Sequence, residues 1–221
     1  MNTIGWVYAD LYNWELALEY DRLAVEESRS YGEPEMIRNS GLNLGDALLA
    51  TGDITTAAVV LEQVERECDA PGTWGGEWMK WRYIQHLNAS LGELRVAQSR
   101  VEEATVYAER CIDAAERTES PRNVVKGLRV RTRSRLATGD VDAAAADIER
   151  ALPLARDVAN PPQLWKTLAL LADVREAQGR SDDAAAARKD ALAVVEAVAA
   201  SLREPGLAET LLAAAEVRAL G

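Results

Sequence analysis

The chain has 221 residues, 48% of them hydrophobic and 28% charged, with a formal net charge of -11 and a pI near 4.7. That acidity argues against non-specific binding to nucleic acid or to anionic membranes, because long-range repulsion must be overcome first. No apolar run approaches the roughly 18 residues of a membrane span, and a chain this long buries about 70% of its unfolded surface without a metal or disulfide staple.

Aromatic residues make up only 5%, Phe is absent, and Ala dominates the second half. Such a composition suits closely packed helices and gives poor strands. Cys68 and Cys111 are too few for a secreted disulfide framework and sit in no metal-ligand spacing, so a reducing, cytoplasmic setting is expected. The first ten residues show no basic segment followed by an apolar one, so no signal peptide is read there. The glycine-rich motifs that cradle phosphates are missing, and neither a cofactor nor a metal is expected.

In chain order, the apolar periodicity predicts helices over 2–12 and 14–31, 34–51 and 54–69, 76–94 and 99–118, 121–138 and 141–158, 161–178 and 182–202, and finally 206–220. Pro34, Pro121 and Pro161 stand at helix starts, where a missing N–H costs nothing. Ser120 and Asn160 precede two of them as caps, while Asp53, Asp140 and Ser181 are expected to cap second helices. Pro153 falls inside a predicted helix and should kink or divide it. The last helix, with Leu207, Leu211, Leu212, Ala215 and Leu220, is expected to cover the open C-terminal end.

The helices come in pairs, and small residues recur within them. Ala17, Ala57, Ala104, Ala144 and Ala184 fall at one equivalent position, and Ala24, Val64, Cys111, Ala151 and Ala191 at another. Corners at Tyr12, Gly52, Ser99, Gly139 and Gly179 repeat roughly every 40 residues, with one longer interval that absorbs the segment 69–76. Small side chains at a crossing let two backbones approach, and a corner glycine ends a helix in the left-handed region that other residues resist.

These residues resemble the tetratricopeptide repeat. Ile4-Gly5-x-x-Tyr8 with Ala17 and Ala24, Leu44-Gly45-x-x-Leu48 with Gly52, Ala57 and Leu61, and Leu91-Gly92 with Ala104 and Ala108 carry the likeness. Thr132 and Ala172 replace the first glycine in the last two units. The resemblance implies an all-α, right-handed solenoid of about five helix pairs, a single domain over 1–221, stacked in a row rather than closed around one centre. It also implies a non-catalytic module that binds a protein or peptide in a concave groove lined by the first helix of each unit. The lengthened repeat looks like the C-terminal regions of large bacterial signalling and transcription regulators. A small-molecule or peptide sensor using the same groove is the alternative.

Carried over residue by residue, that register turns Lys126, Arg129 and Arg133 towards the groove, with Arg122 one turn earlier and Lys166 in the fifth unit. Arg131 and Arg135 fall on other faces. A stripe of like charge either attracts an acidic partner or pairs with acids on neighbouring helices, and both readings stand. Asn43 matches one position of the family's carboxylate clamp, but Asn2, Trp6, His86 and Ser90 do not. Trp78, Trp81 and Tyr83, beside Trp74-Gly-Gly76, are either core or a stacking surface. Arg82 and His86 are candidate contacts for a small ligand. His86 has no nucleophile or second histidine near it in sequence, so no catalytic residue is assigned. Trp6, Tyr8, Tyr12 and Trp14 lie on an end that a preceding repeat would normally cover, which makes that end a candidate surface for a homodimer.

Overall fold

A computed structural model of the protein describes residues 1–70 and 77–221, the side chains of 77–82 and 205 excepted. Among the described residues there are twelve helices and no strand: α1 (Asn2–Asp10), α2 (Trp14–Tyr31), α3 (Pro34–Ala50), α4 (Ile54–Asp69), α5 (Glu77–Ala97), α6 (Val101–Arg117), α7 (Pro121–Ala137), α8 (Val141–Asp157), α9 (Pro161–Ala177), α10 (Ser181–Ser201), α11 (Pro205–Ala213) and α12 (Ala215–Arg218). Each helix packs on the next, and α1, α3, α5, α7 and α9 also pack on one another as an inner layer. The architecture is an α-solenoid of helix pairs.

The small residues explain the stacking. Ala17, Ala57, Ala104, Ala144 and Ala184 are all fully buried, and the second series, from Ala24 to Ala191, is buried as well. At Gly45 a methyl group would overlap the Leu61 side chain, so the glycine is required for α3 to lie against α4. All five corners adopt positive φ, from 59° at Tyr12 and Ser99 to 83° at Gly52. Asp53 and Asp140 accept hydrogen bonds from the backbone N–H of Thr56 (3.1 Å) and Ala143 (3.3 Å), and Asn160 accepts from Gln163 (3.1 Å).

Four sequence expectations are corrected. Ser181 is not a cap: it is the first residue of α10, and its hydroxyl meets the Glu176 carboxylate at 3.1 Å. Ser120 precedes α7 but its side chain makes no capping bond. Pro153 does not divide α8, which runs unbroken through it. Both Pro153 and Glu149, whose carbonyl loses a partner, are exposed, so water can take up the bond. The C-terminal helix is broken at Ala214, where ψ turns to 140°, because Leu211, Val217 and Leu220 must all reach one apolar cluster.

That cluster also revises the idea of an open row. It joins Tyr12 at the corner of the first pair to Trp165 and Leu168 on α9 and Val195 on α10. The solenoid curls until its first and fifth units touch. Tyr12 and Trp14 of the aromatic N-terminal end are therefore covered by the chain's own C-terminal part.

Candidate functional site

Curling shapes a half-open cavity of about 570 Å³ on the inner face, bounded by α1, α3, α5, α7 and α9 with Glu216 of α12 at its rim. Its apolar walls are Trp6, Tyr12, Trp14 and Trp165, together with small alanines such as Ala50, Ala89 and Ala97. Arg122, Lys126, Arg129 and Arg133 project from one face of α7, as their spacing of three and four residues requires, and Lys166 joins them from α9. His86 of α5 lines the same cavity. Six of the eight sequence-derived candidates thus meet around one space.

The remaining two are placed differently. Asn43 does not line the cavity; its side-chain amide donates to Asn2 Oδ1 at 2.8 Å, which ties α3 to α1. Arg82 lies outside the described side chains, as do Trp74, Trp78 and Trp81. Tyr83 is described: it is buried, and its hydroxyl donates to Glu35 at 2.9 Å, so it serves the packing of α5 on α3.

Each cation in the cavity has a distinct surrounding. Arg133 forms an ion pair with Glu93 of α5. Arg129 is only 6% exposed; its Nη1 donates to the side-chain and backbone oxygens of Gln163 at 3.0 and 3.2 Å, both neutral acceptors. Its Nε is buried with no partner. The Arg122 guanidinium lies 5.0 Å from the Trp6 ring, and Lys166 Nζ lies 5.4 Å from Tyr12 and 5.8 Å from Trp165. Cations above aromatic faces gain quadrupole attraction, which partly replaces lost water. The stripe's outward neighbours are structural. Arg131 grips the buried Asp147 of α8 through two bonds of 2.8 and 2.7 Å, and Arg135 reaches the same carboxylate at 2.7 Å.

Desolvation marks these groups. Burial, opposed by Asp46 and reinforced by Arg122 and Arg129, pulls the Lys126 ammonium down to about 8. Burial and Arg133 lower Arg129 to about 10, and burial also lowers Lys166. His86 Nε2 lies 2.7 Å from Asp46 Oδ2. Burial and then Lys126 disfavour the imidazolium, so His86 is lowered and stands neutral, donating its N–H to the carboxylate. Burial alone would raise Asp46, but His86 and Lys126 outweigh it and hold that group ionised. Asp10 goes the other way, raised by burial against the pull of Lys166 and Arg122.

One feature escaped the sequence reading. Position for position, the residue after each unit's helix-crossing site is Trp6, Asp46, Glu93, Arg133 and Asp173, and the residue two turns before it in units three to five is His86, Lys126 and Lys166. A spacing of seven puts both on one helical face, about 10 Å apart. The inner surface therefore carries two tracks, one basic and one acidic, interrupted by Arg133. Comparing equivalent positions across units, rather than reading along one helix, would have exposed them.

No protein-family model and no curated protein matches the sequence. Two of the solved structures that resemble the chain show the likeness. BtubC from P. vanneervenii superposes with a TM-score of 0.50 at 17% identity, covering 87% of this chain and 94% of that one. A putative kinesin light chain with nearly identical TPR-like repeats, from Podosopora anserina, gives 0.55 at 18% identity, covering 90% and 95%. At these identities the likeness concerns the fold: the chain has the tetratricopeptide-like repeat fold. No helix among the described residues is long and apolar enough to cross a membrane.

Proposed function

We propose that the protein is a non-catalytic interaction module that holds a protein segment or peptide in the cavity enclosed by its inner helices. The observation that carries this reading is the cavity itself: about 570 Å³, walled by aromatic rings and small alanines, with five cations of α7 and α9 on its lining. Pockets of this size and lining take up ligands by burying apolar surface while a few polar groups set orientation. The helices are already packed, so little ordering remains to be done on binding. The neighbouring structures support the fold on which this rests.

The module acts as one domain over 1–221, with units 2–31, 34–69, 76–118, 121–158 and 161–202 and a cap at 206–220. It serves as the regulatory repeat segment of a larger bacterial signalling protein in the cytoplasm, a role suggested by its lengthened repeat. The groove contacts are Arg122, Lys126, Arg129, Arg133, Lys166 and His86. For self-association through the N-terminal end, exposed Ile4 and Val7 of α1 and Leu23 of α2 remain the candidate contacts, since Tyr12 is consumed within the chain.

A second reading, a sensor of small molecules or short peptides, is favoured by the contact between the first and fifth units, which limits the length of chain the cavity can take. Selection of a random-peptide display library separates the outcomes. Wild-type protein should enrich a shared sequence, and Ala97→Trp, at an exposed position lining the cavity, should abolish its binding. Enrichment that ignores this block, or no enrichment, overturns the groove reading. Stabilisation by one small compound in a thermal-shift screen would select the sensor.

A further inference from the structure

The first unit leaves bare a face that the later units bury. In units three and five, Arg95 and Arg175 each reach back to the second helix of the unit before, donating to Glu62 at 2.9 Å and to Glu149 at 2.7 Å. Tyr107 donates to Glu65 of the preceding unit at 2.8 Å, and Arg150 pairs with Glu116 in the same sense. The first-unit residues at these three positions are Tyr8, Tyr20 and Leu23. Both arginine positions therefore carry an uncharged side chain, and Tyr8 stacks on Tyr20 with ring centroids 5.6 Å apart at 16°.

Val7 and Ile4 show the same contrast. The equivalents of Val7, which are Ala47, Leu94, Ser134 and Val174, are at most 2% exposed, and Ser134 donates to the Val101 carbonyl of the preceding unit at 2.7 Å. Val7 itself is 46% exposed. Ile4, one turn earlier, is 44% exposed, whereas its equivalent Leu91 is fully buried. Helical spacings of three and four residues, together with the stacked tyrosines, join Ile4, Val7, Tyr8, Tyr20 and Leu23 into one surface. It is built for stacking on a unit, where an end repeat that faces water carries polar residues.

Charge and the opposite end of the array decide what covers it. α1 carries no charged residue from Asn2 to Ala9, in a chain of net charge -11, so a second copy can meet it without setting acid against acid. At the far end Leu211, Val217 and Leu220 of α11 and α12 are spent in the cluster on α9 and α10, so stacking head to tail finds no matching face. Head-to-head contact remains.

We propose that this face binds the same face of a second copy, α1 against α1 across a two-fold axis, so that each first unit stands where the other's preceding unit would be. This deepens the self-association reading of the N-terminal end, on which it rests, and does not depend on what the cavity holds. The contact is isologous, uses each face once and stops at two copies. Apolar burial drives it, while the two acidic bodies repel one another at a range that salt screens. The dimer therefore tightens as salt rises, opposite to a contact made by ion pairs.

The test is sedimentation equilibrium of the full chain across the micromolar range, at low and at physiological salt. Wild type should pass from monomer to dimer with concentration, go no further, and dissociate less at the higher salt. Val7→Glu and, separately, Leu23→Glu put acids on both facing surfaces and should each weaken the dimer by about tenfold or more. Val59→Glu, at an exposed site on α4, should leave it unchanged. Circular dichroism restricts the comparison to variants that keep their helicity. A monomer throughout, an open series of larger species, or a dimer that both helical variants leave intact would overturn the proposal. Peptide enrichment blocked by Ala97→Trp in a monomeric protein would leave the groove reading standing while the dimer fell, and a dimer that enriches no peptide would do the reverse.

Discussion

Tyr12 and Trp165, one at the first corner and the other in the ninth helix, bring their rings within 5.7 Å at a tilt of 46°. Trp14 meets Tyr12 edge-on at 5.1 Å. Apolar side chains of α10, α11 and α12 complete the cluster. This contact joins the first and fifth units of the repeat array around a half-open cup.

Removing the contact should open the cup. Tyr12→Ala deletes the bridging ring while leaving Trp165 its neighbours on α9 and α10. Small-angle scattering should show a larger radius of gyration with unchanged helicity by circular dichroism. An unaltered scattering profile would show that the inner helices set the curvature by themselves.

Asp21 on α2 is fully buried, and neither carboxylate oxygen has a hydrogen-bond partner. Burial, with Asp46 adding repulsion, raises the group to about 7. The folded state then binds more protons than the unfolded one between the ordinary carboxylate value and about 7. Stability should fall as pH rises through that window and stay low above it. Asp21→Asn keeps the shape without the charge and should stabilise the protein at pH 8 by roughly 2–4 kcal/mol, with the gain shrinking towards pH 4. Urea denaturation at the two pH values measures it.

Asp147 is the single carboxylate answering both Arg131 and Arg135. Truncation to Ala leaves two guanidinium groups at the α7–α8 interface without their acid, a loss of about 3 kcal/mol. The accompanying observation should be intact binding in the groove, because these arginines do not line it. Parallel loss of binding with full stability would place Asp147 in the site rather than in the scaffold.

Lys126 offers the reverse pH signature. Its folded value of about 8 lies below the ordinary lysine value. Between the two, the unfolded state holds more protons, so the ligand-free protein should gain stability as pH rises from about 8 towards 9.5. The penalty is fully present below 8. Lys126→Met should raise the melting temperature at pH 7 and flatten that rise. A variant that melts lower at pH 7 would mean that Lys126 is compensated inside the chain.

How much of this was legible beforehand differs from residue to residue. The buried alanines from Ala17 to Ala184 and the positive-φ corners follow from local rules: a crossing needs small side chains, and a helix stop needs an unusual φ. The facing of Lys126, Arg129 and Arg133 follows from helical periodicity with the register supplied by resemblance. Asn43 was misplaced because its partner, Asn2, lies in another repeat, and no rule along one helix reports which amide meets which.

The helices, their pairing and the direction in which the α7 cations point could be read from the residues alone, since each depends on positions within about forty of one another. Tertiary structure alone decided that the first and fifth units touch, that the cations share a cavity, and that Glu93 goes to Arg133 instead of Lys126. Curvature accumulates from small rotations at every packed interface, so the meeting of Tyr12 with Trp165 is a sum over the whole stack. Which of two cations claims one carboxylate is settled by distances that exist only after that sum is made.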